Sequence, residues 1–425
     1  MKKILIIYPH FPPSNLAGVH RARLFAQHLP SFGWEPVILT VHEDFYEEKL
    51  DWNLVKLLPK TLRIEKVGAN VLGRKRFIGD IGLRAFKQLL KRAKELINQE
   101  HFDFLYIPIP SFYCALLGRL LHNISGIKYG IDYIDPWVHH FPGSEKKFNR
   151  HWLSTQLAKI LEPIAVKKAS LITGVAKGYY NPVLDRNPHL KNILTGAMPY
   201  GGEEKDHAIV ASMQIEPYLF QKKINKFQFV YAGAMLPKAY LPLEIILKVI
   251  ADNKEIFRDT EFYFIGTGKT PDDKNGYNIK PVAEKYGLYN SIVFEYPARI
   301  PYVDVLVHLN LADAVFILGS TEPHYTPSKI YQAVLSNKPI FAVLHKDSSA
   351  VEIIRDSHAG IVLSFNGEID LKNIQESFLK QFFEFKNFLD SYLVEQIDHN
   401  IFEQYSAAAV TKELSLLLNS ATKTN

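Results

Sequence analysis

The segment Ser320-Thr-Glu-Pro-His-Tyr-Thr-Pro-Ser-Lys-Ile-Tyr-Gln-Ala-Val-Leu-Ser-Asn-Lys-Pro-Ile340 predicts a polar loop, a helix and the start of a buried strand. Thr326 suits the N-cap and Pro327 the first helical position, which places Ser328 and Lys329 in the first turn. Unpaired backbone N–H groups and the helix dipole make that turn positive, so a lysine there is unfavourable for the helix alone. Lys329 is therefore either a surface lysine on a well-capped helix or a contact to a bound anion such as phosphate.

The composition predicts a folded chain of more than one domain. Its 425 residues are 47% hydrophobic and 22% charged, which is typical of globular proteins and too long for one ordinary core. The single cysteine, Cys114, excludes a disulfide framework and favours a reducing, cytoplasmic location. No apolar run is long enough to span a bilayer, and the stretch from Met1 to Pro9 predicts a buried strand rather than a signal peptide.

Strands alternate with helices in two similar halves, which predicts parallel sheets with helices on both faces. The strands predicted in the first half are Lys3–Tyr8, Pro36–Val41, Phe104–Ile107, Lys128–Ile134 and Leu171–Val175. Those predicted in the second half are Phe227–Met235, Glu261–Gly266, Ser291–Phe294, Asp313–Leu318, Pro339–Leu344 and Gly360–Leu363. The predicted helices include Ala17–Phe32, Leu241–Ile250 and Tyr302–Leu311.

This pattern divides the chain into four segments. We expect an N-terminal Rossmann-like domain over 1–200, a linker over 201–226, a C-terminal Rossmann-like domain over 227–400, and a C-terminal helix over 401–425 that could pack back on the N-terminal domain. Two doubly wound sheets that face each other would place a ligand cleft at the carboxyl ends of their strands. The loops that follow strands are therefore where chemistry is expected.

The loop after the first strand leads into a helix that begins near Gly18. Gly18 either forms a plain tight turn or lets a phosphate or sugar approach the backbone. His20 and Arg21 follow in the first turns of the helix. A single glycine lacks the spacing of a dinucleotide-binding fingerprint, so this loop alone does not identify a ligand.

A second loop, Ile131-Asp-Tyr-Ile-Asp-Pro-Trp137, closes an apolar strand with two carboxylates. We expect Asp132 to cap or to pair with a nearby arginine, and we expect Asp135, where the strand stops, to face a ligand. Trp137 either packs on a sugar ring or belongs to the core.

Two further loops follow strands of the second half. Gly233 permits close backbone approach and Lys238 could reach a diphosphate, so that Lys238 and Lys329 would direct two cations to one place. Gly266 and Gly268, with the turn that begins at Arg299, are candidates near a base. The sequence has no Asp-x-Asp pair and no His/Cys cluster at metal-ligand spacing, so we expect lysines and a helix dipole, rather than a metal, to stabilise a diphosphate.

The segment from Arg74 to Lys94 carries eight basic side chains and one acidic side chain. Its apolar residues recur at helical spacing, which predicts a basic amphipathic helix. The basic face is either solvated or rests on an anionic membrane surface. No aromatic or glycine pattern of a nucleic-acid module accompanies the charge, so we expect no nucleic-acid partner.

Three motifs carry a resemblance to a known family. They are the opening Tyr8-Pro…Pro12-Pro…Gly18…Arg21…Leu29…Phe32-Gly-Trp-Glu-Pro-Val-Ile-Leu-Thr40, the segment Asp132-Tyr-Ile-Asp-Pro-Trp137, and the helix Pro327-Ser-Lys-Ile-Tyr-Gln332 followed by Asn337-Lys-Pro-Ile-Phe-Ala-Val343. Together they resemble the nucleotide-sugar glycosyltransferases of the GT-B fold, specifically glycosyltransferase family 4. The resemblance implies two Rossmann-like domains that face a central cleft.

The resemblance also implies an activity. It indicates a metal-independent, retaining hexosyltransferase that moves a sugar from a nucleoside diphosphate sugar to a hydroxyl of a glycan or lipid-linked acceptor, in cell-envelope polysaccharide synthesis at the inner face of the membrane. No cofactor beyond the donor substrate is implied. The implied catalytic residues are Asp135, Lys238 and Lys329, and the implied acceptor contacts are His20, Arg21 and Trp137. The implied donor contacts are Gly18, Gly233, Gly266, Gly268, Arg299, Glu322, His324, Thr326, Pro327, Ser328, Tyr331 and Gln332.

The chain departs from the family pattern at several positions. The usual donor motif has two glutamates, and the aligned positions hold His324 and Gln332, while Glu322 lies two residues early. Met235 stands where an arginine is common, and Ile134 where a histidine is usual. Two other functions therefore remain open: a nucleotide-sugar 2-epimerase of the same fold, and a non-catalytic nucleotide-sugar binding protein.

Overall fold

The computed structural model describes residues 1–71, 80–138, 147–268, 273–323 and 328–423. The chain divides into two compact units. Unit 1 comprises Met1–Tyr200 together with Ala407–Asn425, and unit 2 comprises Gly201–Ser406. Within the described residues, no helix combines the length and the apolar character needed to cross a membrane.

Unit 1 is built on a seven-stranded parallel sheet. Its strands are β1 (Lys2–Ile7), β2 (Trp34–Val41), β3 (Arg63–Val67), β4 (Phe104–Ile109), β5 (Tyr129–Tyr133), β6 (Leu171–Gly174) and β7 (Leu194–Ala197). They are ordered β3-β2-β1-β4-β5-β6-β7. The helices that precede unit 2 are α1 (Ala17–His28), α2 (Trp52–Lys56), α3 (Ile81–Arg84), α4 (Phe86–Gln99), α5 (Ala115–Ser125), α6 (Arg150–Val166) and α7 (Lys177–Arg186).

Unit 2 repeats the same topology with six parallel strands. They are β8 (Phe227–Ala232), β9 (Thr260–Ile265), β10 (Val293–Tyr296), β11 (Ala314–Leu318), β12 (Ile340–His345) and β13 (Gly360–Phe365), ordered β10-β9-β8-β11-β12-β13. The helices are α8 (Glu204–Ser212), α9 (Tyr240–Asp252), α10 (Lys280–Lys285), α11 (Tyr302–Leu311), α12 (Lys329–Leu335), α13 (Ser349–Asp356), α14 (Leu371–Ser391) and α15 (His399–Glu403). The predicted pair of Rossmann-like parallel sheets is thus confirmed.

The last helix, α16 (Ala407–Thr422), belongs to unit 1. Its buried side chains, such as Leu414 and Leu418, pack with those of α1 on one face of the sheet. Lys2 fixes the end of α16, because its Nζ donates to Asn419 Oδ1 at 3.0 Å and to Thr422 Oγ1 at 2.9 Å. The opposite face of the sheet is covered by α4, α5, α6 and α7, whose buried side chains form a second core.

The predicted strands are all present, and two strands of unit 1 were not predicted. Both β3 and β7 lie at the edges of the sheet. The sequence of β3, Arg63-Ile-Glu-Lys-Val67, is charged and partly exposed, while β7 is four residues long and includes Gly196. Charged or short edge strands discourage pairing with another sheet. Because such strands are charged or short, they lack the apolar run by which a buried strand is recognised in a sequence.

The strand order reverses between β1 and β4 in unit 1, and between β8 and β11 in unit 2. At such a point the loops on the two sides of the reversal leave the sheet in opposite directions and open a crevice at the carboxyl ends of the strands. In each unit the residues that follow these strands are therefore the best placed to bind a ligand.

A buried ion pair fixes α1 to the sheet of unit 1. Arg21 and Asp132 are 1% and 0% exposed, and Arg21 donates from Nε and Nη2 to the two carboxylate oxygens at 2.5 and 2.8 Å. Arg21 Nη1 donates to the carbonyl oxygens of Met198 and Pro199 at 2.6 and 2.9 Å, and Thr173 Oγ1 donates to Asp132 at 2.7 Å. The predicted pairing of Asp132 with an arginine is confirmed. The pair joins α1 to β5 and to the backbone just after β7.

We expect Asp132→Asn to lower the free energy of unfolding by about 3–5 kcal/mol, because it leaves the Arg21 guanidinium buried without its counter-charge. The measurement is urea unfolding of the full chain. Glu95→Gln is the matched control, since Glu95 pairs with Arg92 on the surface at 3.0 Å, and such exposed pairs contribute less than about 1 kcal/mol. Equal losses in the two variants would contradict the structural role of the buried pair.

Candidate functional site

The loops at the carboxyl edge of unit 2 are joined by backbone hydrogen bonds. Gly233, just after β8, donates to the carbonyl of Ile265 at the end of β9, at 2.8 Å. Thr321, in the loop after β11, donates to the carbonyl of Lys238 in the loop after β8, at 3.1 Å. The predicted residues of these loops therefore lie along one edge of unit 2, at the point where the strand order reverses. We call this edge, formed by the loops after β8, β9, β10 and β11, the rim.

Lys329 is the first residue of α12 and extends across this rim toward the loop after β8. Its Nζ lies 3.6 Å from the centroid of the Tyr231 ring, at the end of β8. The same atom is 2.9 Å from the position that a Cβ would occupy at Gly233, whose φ is 141°. Gly233 is therefore required here, because any side chain would displace the lysine amine and would also strain the backbone.

The Lys329 amine lacks a counter-charge within the described residues. Its Nζ is buried and has no hydrogen-bond partner there, and the first turn of α12 contains no acidic residue. Burial lowers the pKa of this amine to about 7, well below the 10.4 or so of a solvated lysine. The Tyr231 ring offers a cation–π contact but no negative charge. An anion bound beside Nζ would restore the charged form.

Lys238 and Glu322 form an exposed ion pair on the same rim. Their side chains are 55% and 51% exposed, and Lys238 Nζ lies 3.4 Å from Glu322 Oε1. Because exposed pairs of this kind contribute little stability, Lys238 can exchange Glu322 for a ligand anion at low cost. Ser328 is also exposed, immediately before Lys329.

The candidates for base contacts lie at the ends of β9 and β10. Gly266 has a φ of 72°, and a Cβ there would lie 3.8 Å from the Cα of Arg299. Gly268 donates through its backbone N–H to the carbonyl of Pro297 at 2.8 Å. The two predicted segments, around Gly266 and around Arg299, are thus brought together.

A buried glutamate that the sequence did not single out shapes this part of the rim. Glu295, on β10, is 5% exposed and accepts hydrogen bonds from Thr267 Oγ1 at 2.5 Å and from the backbone N–H groups of Asn278, Ile279 and Lys280 at 2.9, 3.0 and 2.7 Å. It therefore holds the Gly266–Gly268 loop against the start of α10. A lone glutamate within a strand gave no sequence signal for this role.

The remaining α12 candidates point into unit 2. Tyr331 is 3% exposed and its ring lies 6.3 Å from that of Tyr405, so the structure places it in the core rather than at a donor. Gln332 Oε1 lies 2.8 Å from Nε2 of His207, a residue of α8 that was not predicted. Burial lowers the pKa of His207, which favours the neutral imidazole beside the neutral amide.

Three predicted donor contacts, His324, Thr326 and Pro327, lie outside the described residues. The N-cap of α12 is Ser328, not Thr326 as predicted, and its side chain makes no capping hydrogen bond. The first part of the basic segment, Arg74 to Arg76, is also outside the described residues.

In unit 1, close packing accounts for Gly18. A Cβ at this position would lie 2.2 Å from the hydroxyl oxygen of Tyr8, which is buried at the end of β1. Neither a tight turn nor a phosphate is needed to explain the glycine. Arg21 was predicted to contact an acceptor, but its three guanidinium nitrogens donate to Asp132 and to backbone carbonyls inside the unit. We therefore correct its role to positioning α1.

The other acceptor candidates of unit 1 differ in exposure. Asp135 is exposed just after β5, and His20 is half-buried on α1. Trp137 is 6% exposed and stacks on Phe112 with ring centroids 5.9 Å apart, which places it in the core. Of the two interpretations of Trp137, the structure thus supports core packing.

A polar cluster that was not predicted lies after β1. His10 Nδ1 is 2.9 Å from Glu48 Oε1, and the Ser14 hydroxyl also donates to this carboxylate. Burial opposes ionisation of Glu48, but the hydrogen bonds from His10 and Ser14 outweigh it and lower the pKa of the carboxyl to about 2. Burial raises the pKa of Asp80, which accepts from Ser111 Oγ at 3.1 Å. Across the described part of the chain, no three His, Cys, Asp or Glu side chains are arranged to hold a metal ion.

No protein-family model and no curated protein sequence matches the chain. Solved structures do match it over nearly all of both chains. Sucrose-phosphate synthase from Thermosynechococcus elongatus matches with a TM-score of 0.64 at 12% identity, covering 99% of each chain. Anabaena HepE in complex with UDP and glucose matches with a TM-score of 0.62 at 13% identity, covering 99% of this chain and 100% of its own. A UDP-forming α,α-trehalose-phosphate synthase from Burkholderia xenovorans matches with a TM-score of 0.66 at 11% identity, covering 100% of each. At these identities the likeness concerns architecture, and the chain has the GT-B fold shared by these structures.

Proposed function

We propose that this protein is a glycosyltransferase that moves a sugar from a nucleoside diphosphate sugar to a hydroxyl group of an acceptor. The observation that carries the proposal is the buried Lys329 amine at the carboxyl edge of unit 2, beside which no carboxylate lies among the residues that the structure describes. A diphosphate supplies the missing negative charge. Gly233 lies against this amine, and the exposed Lys238 follows in the same loop after β8, where it is proposed to reach the diphosphate.

We further propose that the base is uracil. HepE was solved with UDP and glucose, and the trehalose-phosphate synthase is UDP-forming. The segments around Gly266 and Arg299 are proposed to contact the base, since they meet beside Gly233 at the ends of neighbouring strands. Glu295 would act there as a positioning residue, because its four hydrogen bonds fix the Gly266–Gly268 loop.

The proposed reaction is a metal-independent hexosyl transfer with retention of the anomeric configuration. The bond between the anomeric carbon and the diphosphate oxygen breaks, and the acceptor oxygen forms its new bond on the same face of the sugar. The acceptor proton passes to the departing phosphate oxygen. Lys329 and Lys238 would stabilise the charge that develops on the diphosphate, with the Ser328 end of α12 beside them.

For unit 1 we propose a role in acceptor binding. Asp135 is exposed after β5, and it is our candidate to orient the acceptor hydroxyl or to stabilise positive charge on the sugar ring. The His10 and Glu48 pair after β1 offers further hydrogen bonds to a polyhydroxy acceptor. We propose a glycan or a lipid-linked acceptor of cell-envelope polysaccharide synthesis.

The basic segment of unit 1 supports a membrane contact in this proposal. Of its described residues, Arg84 and Arg92 are engaged with Glu47 and Glu65 at 3.0 and 2.8 Å. Three lysines of α4, at positions 87, 91 and 94, are exposed and recur on one side of the helix. We propose that this lysine side faces anionic lipid.

We expect Lys329→Met to abolish the thermal stabilisation of the protein by UDP and to lower transfer from UDP-glucose by about 10²–10³-fold, since one electrostatic contact to the leaving group is lost. The measurements are melting curves with UDP, GDP, ADP and CMP, and product analysis with and without an acceptor. The free variant should fold at least as well as the parent, because a buried, unpaired amine is removed.

Lys372→Met is the matched control, because this lysine of unit 2 has an 82% exposed side chain paired with Glu376 on α14. It should leave stabilisation and turnover unchanged. A full UDP shift in Lys329→Met would overturn the assignment of the diphosphate site. UDP stabilisation without sugar transfer to any acceptor would identify a binding protein instead.

The Lys329 amine also predicts a pH dependence of UDP binding. In the free protein its pKa is about 7, and a bound diphosphate should raise it toward the ordinary value. Binding then takes up a proton above pH 7, so the dissociation constant of UDP should rise by about tenfold per pH unit from pH 7 upward. The terminal phosphate itself titrates near pH 6 and contributes little in this range.

Calorimetric titration of UDP at pH 7, 8 and 9 in buffers of different ionisation enthalpy measures both the affinity and the proton uptake. Lys329→Arg keeps its charge throughout this range and should show no such slope. If the dissociation constant of UDP for the parent protein stays constant between pH 7 and pH 9, the proposed link between UDP and the Lys329 amine is contradicted.

A further inference from the structure

Helix α6 exposes an apolar stripe on the outside of unit 1. Leu153, Leu157, Ile160 and Ile164 are 53, 41, 63 and 48% exposed. Their spacing of three and four residues places all four side chains on one side of the helix, over roughly 16 Å of its length. Isolated exposed apolar side chains are common on proteins, whereas a continuous stripe indicates an interaction surface.

The neighbouring helix extends this surface. Helix α5 packs against α6, and the buried sides of both helices join the same core on one face of the sheet. Leu120 and Ile124, one turn apart on α5, are 38 and 57% exposed. We refer to these two residues and the four of α6 as the α5–α6 apolar face.

The charged side chains that α5 and α6 expose among the described residues are basic. The segment Ala115–Ser125 has no acidic residue, and the single acidic residue of Arg150–Val166 is Glu162, which is 0% exposed and paired with Arg186 at 2.8 Å. Lys159, Lys167 and Lys168, by contrast, are exposed on or next to α6. Helix α4, with its exposed lysine side, packs on the other flank of α5.

We propose that the α5–α6 apolar face docks on the surface of a lipid bilayer that contains anionic headgroups. Apolar side chains would enter the interface while the surrounding lysines contact the headgroups, as interfacial amphipathic helices do. A symmetric contact between two copies of the chain is the less favourable occupant, because it would bring the same lysine-rich surfaces together. The face belongs to unit 1 and includes none of the donor candidates of unit 2, so we expect binding without nucleotide.

Helix α4 cannot provide this apolar contact. Its apolar residues Leu89, Ala93 and Leu96 are 0% exposed in the core of unit 1, and Phe86, Leu90 and Ile97 pack partly buried against the same core. The basic segment predicted from the sequence therefore supplies charge, and α5 and α6 supply the surface that enters the interface.

The test is flotation of the full-length protein, without nucleotide, with vesicles of phosphatidylglycerol and phosphatidylcholine in equal parts, and with vesicles of phosphatidylcholine alone. We expect binding to the anionic vesicles that weakens as ionic strength rises. The double variant Leu157→Gln/Ile160→Gln should bind at least about tenfold more weakly, since two apolar side chains no longer enter the interface. Because both positions are exposed, its melting temperature and its UDP response should match those of the parent.

Leu416→Gln is the matched control, since Leu416 is a 58% exposed leucine on α16, which packs on the other face of the sheet. It should bind vesicles as the parent does. Failure of the parent to bind anionic vesicles, or equal loss of binding in both variants, would overturn the proposal. So would a dimer in sedimentation equilibrium that the α6 double variant dissociates, because the face would then join two copies. None of these results depends on UDP binding, so the donor-site proposal stands or falls separately.

Discussion

The desolvated amine of Lys329 is the constraint around which the candidate site of unit 2 is organised. An ammonium group removed from water without a counter-charge is unstable, and its pKa accordingly falls to about 7. The structure holds the amine there by starting α12 at Lys329, by leaving Gly233 without a side chain and by placing the Tyr231 ring beneath Nζ. The surroundings are thus already arranged for an anion, and a bound diphosphate would supply the counter-charge that the described residues do not.

The sequence was sufficient to predict the sheets because buried parallel strands are continuous apolar runs. Strands β4, β11 and β12 are of this kind, and the other predicted strands combine a mainly apolar run with one or more polar residues. The edge strands β3 and β7 escaped prediction because edge positions favour charge and brevity over hydrophobicity. The first residue of helix α12 was also difficult to predict from the sequence. The start of α12 depends on which residue caps it, and more than one residue before Lys329 is of a capping type.

The candidate site was predictable only where its signal is local. Gly233 follows a predicted strand, where a glycine permits close approach to the backbone. Lys329 lies at a predicted helix start, where a lysine is unfavourable unless an anion binds. Trp137 and Arg21 were ambiguous, because an aromatic ring or a guanidinium suits the core and a ligand equally well until burial is known. The role of Glu295 and the pairing of Gln332 with His207 depend on partners far away in sequence, and composition and spacing carry no information about such contacts.

The two units have the same strand order, yet they treat basic side chains near the reversal in opposite ways. In unit 1, Arg21 lies on the helix that follows β1, and its charge is neutralised by Asp132 within the unit. In unit 2, Lys329 lies on the helix that follows β11, and no carboxylate among the described residues contacts its amine. A neutralised cation stabilises the fold but cannot attract an anion, whereas an unneutralised one is costly to the fold and favours anion binding. This difference, rather than the shared topology, supports the proposal of a nucleotide bound by unit 2 and a hydroxyl-bearing acceptor bound by unit 1.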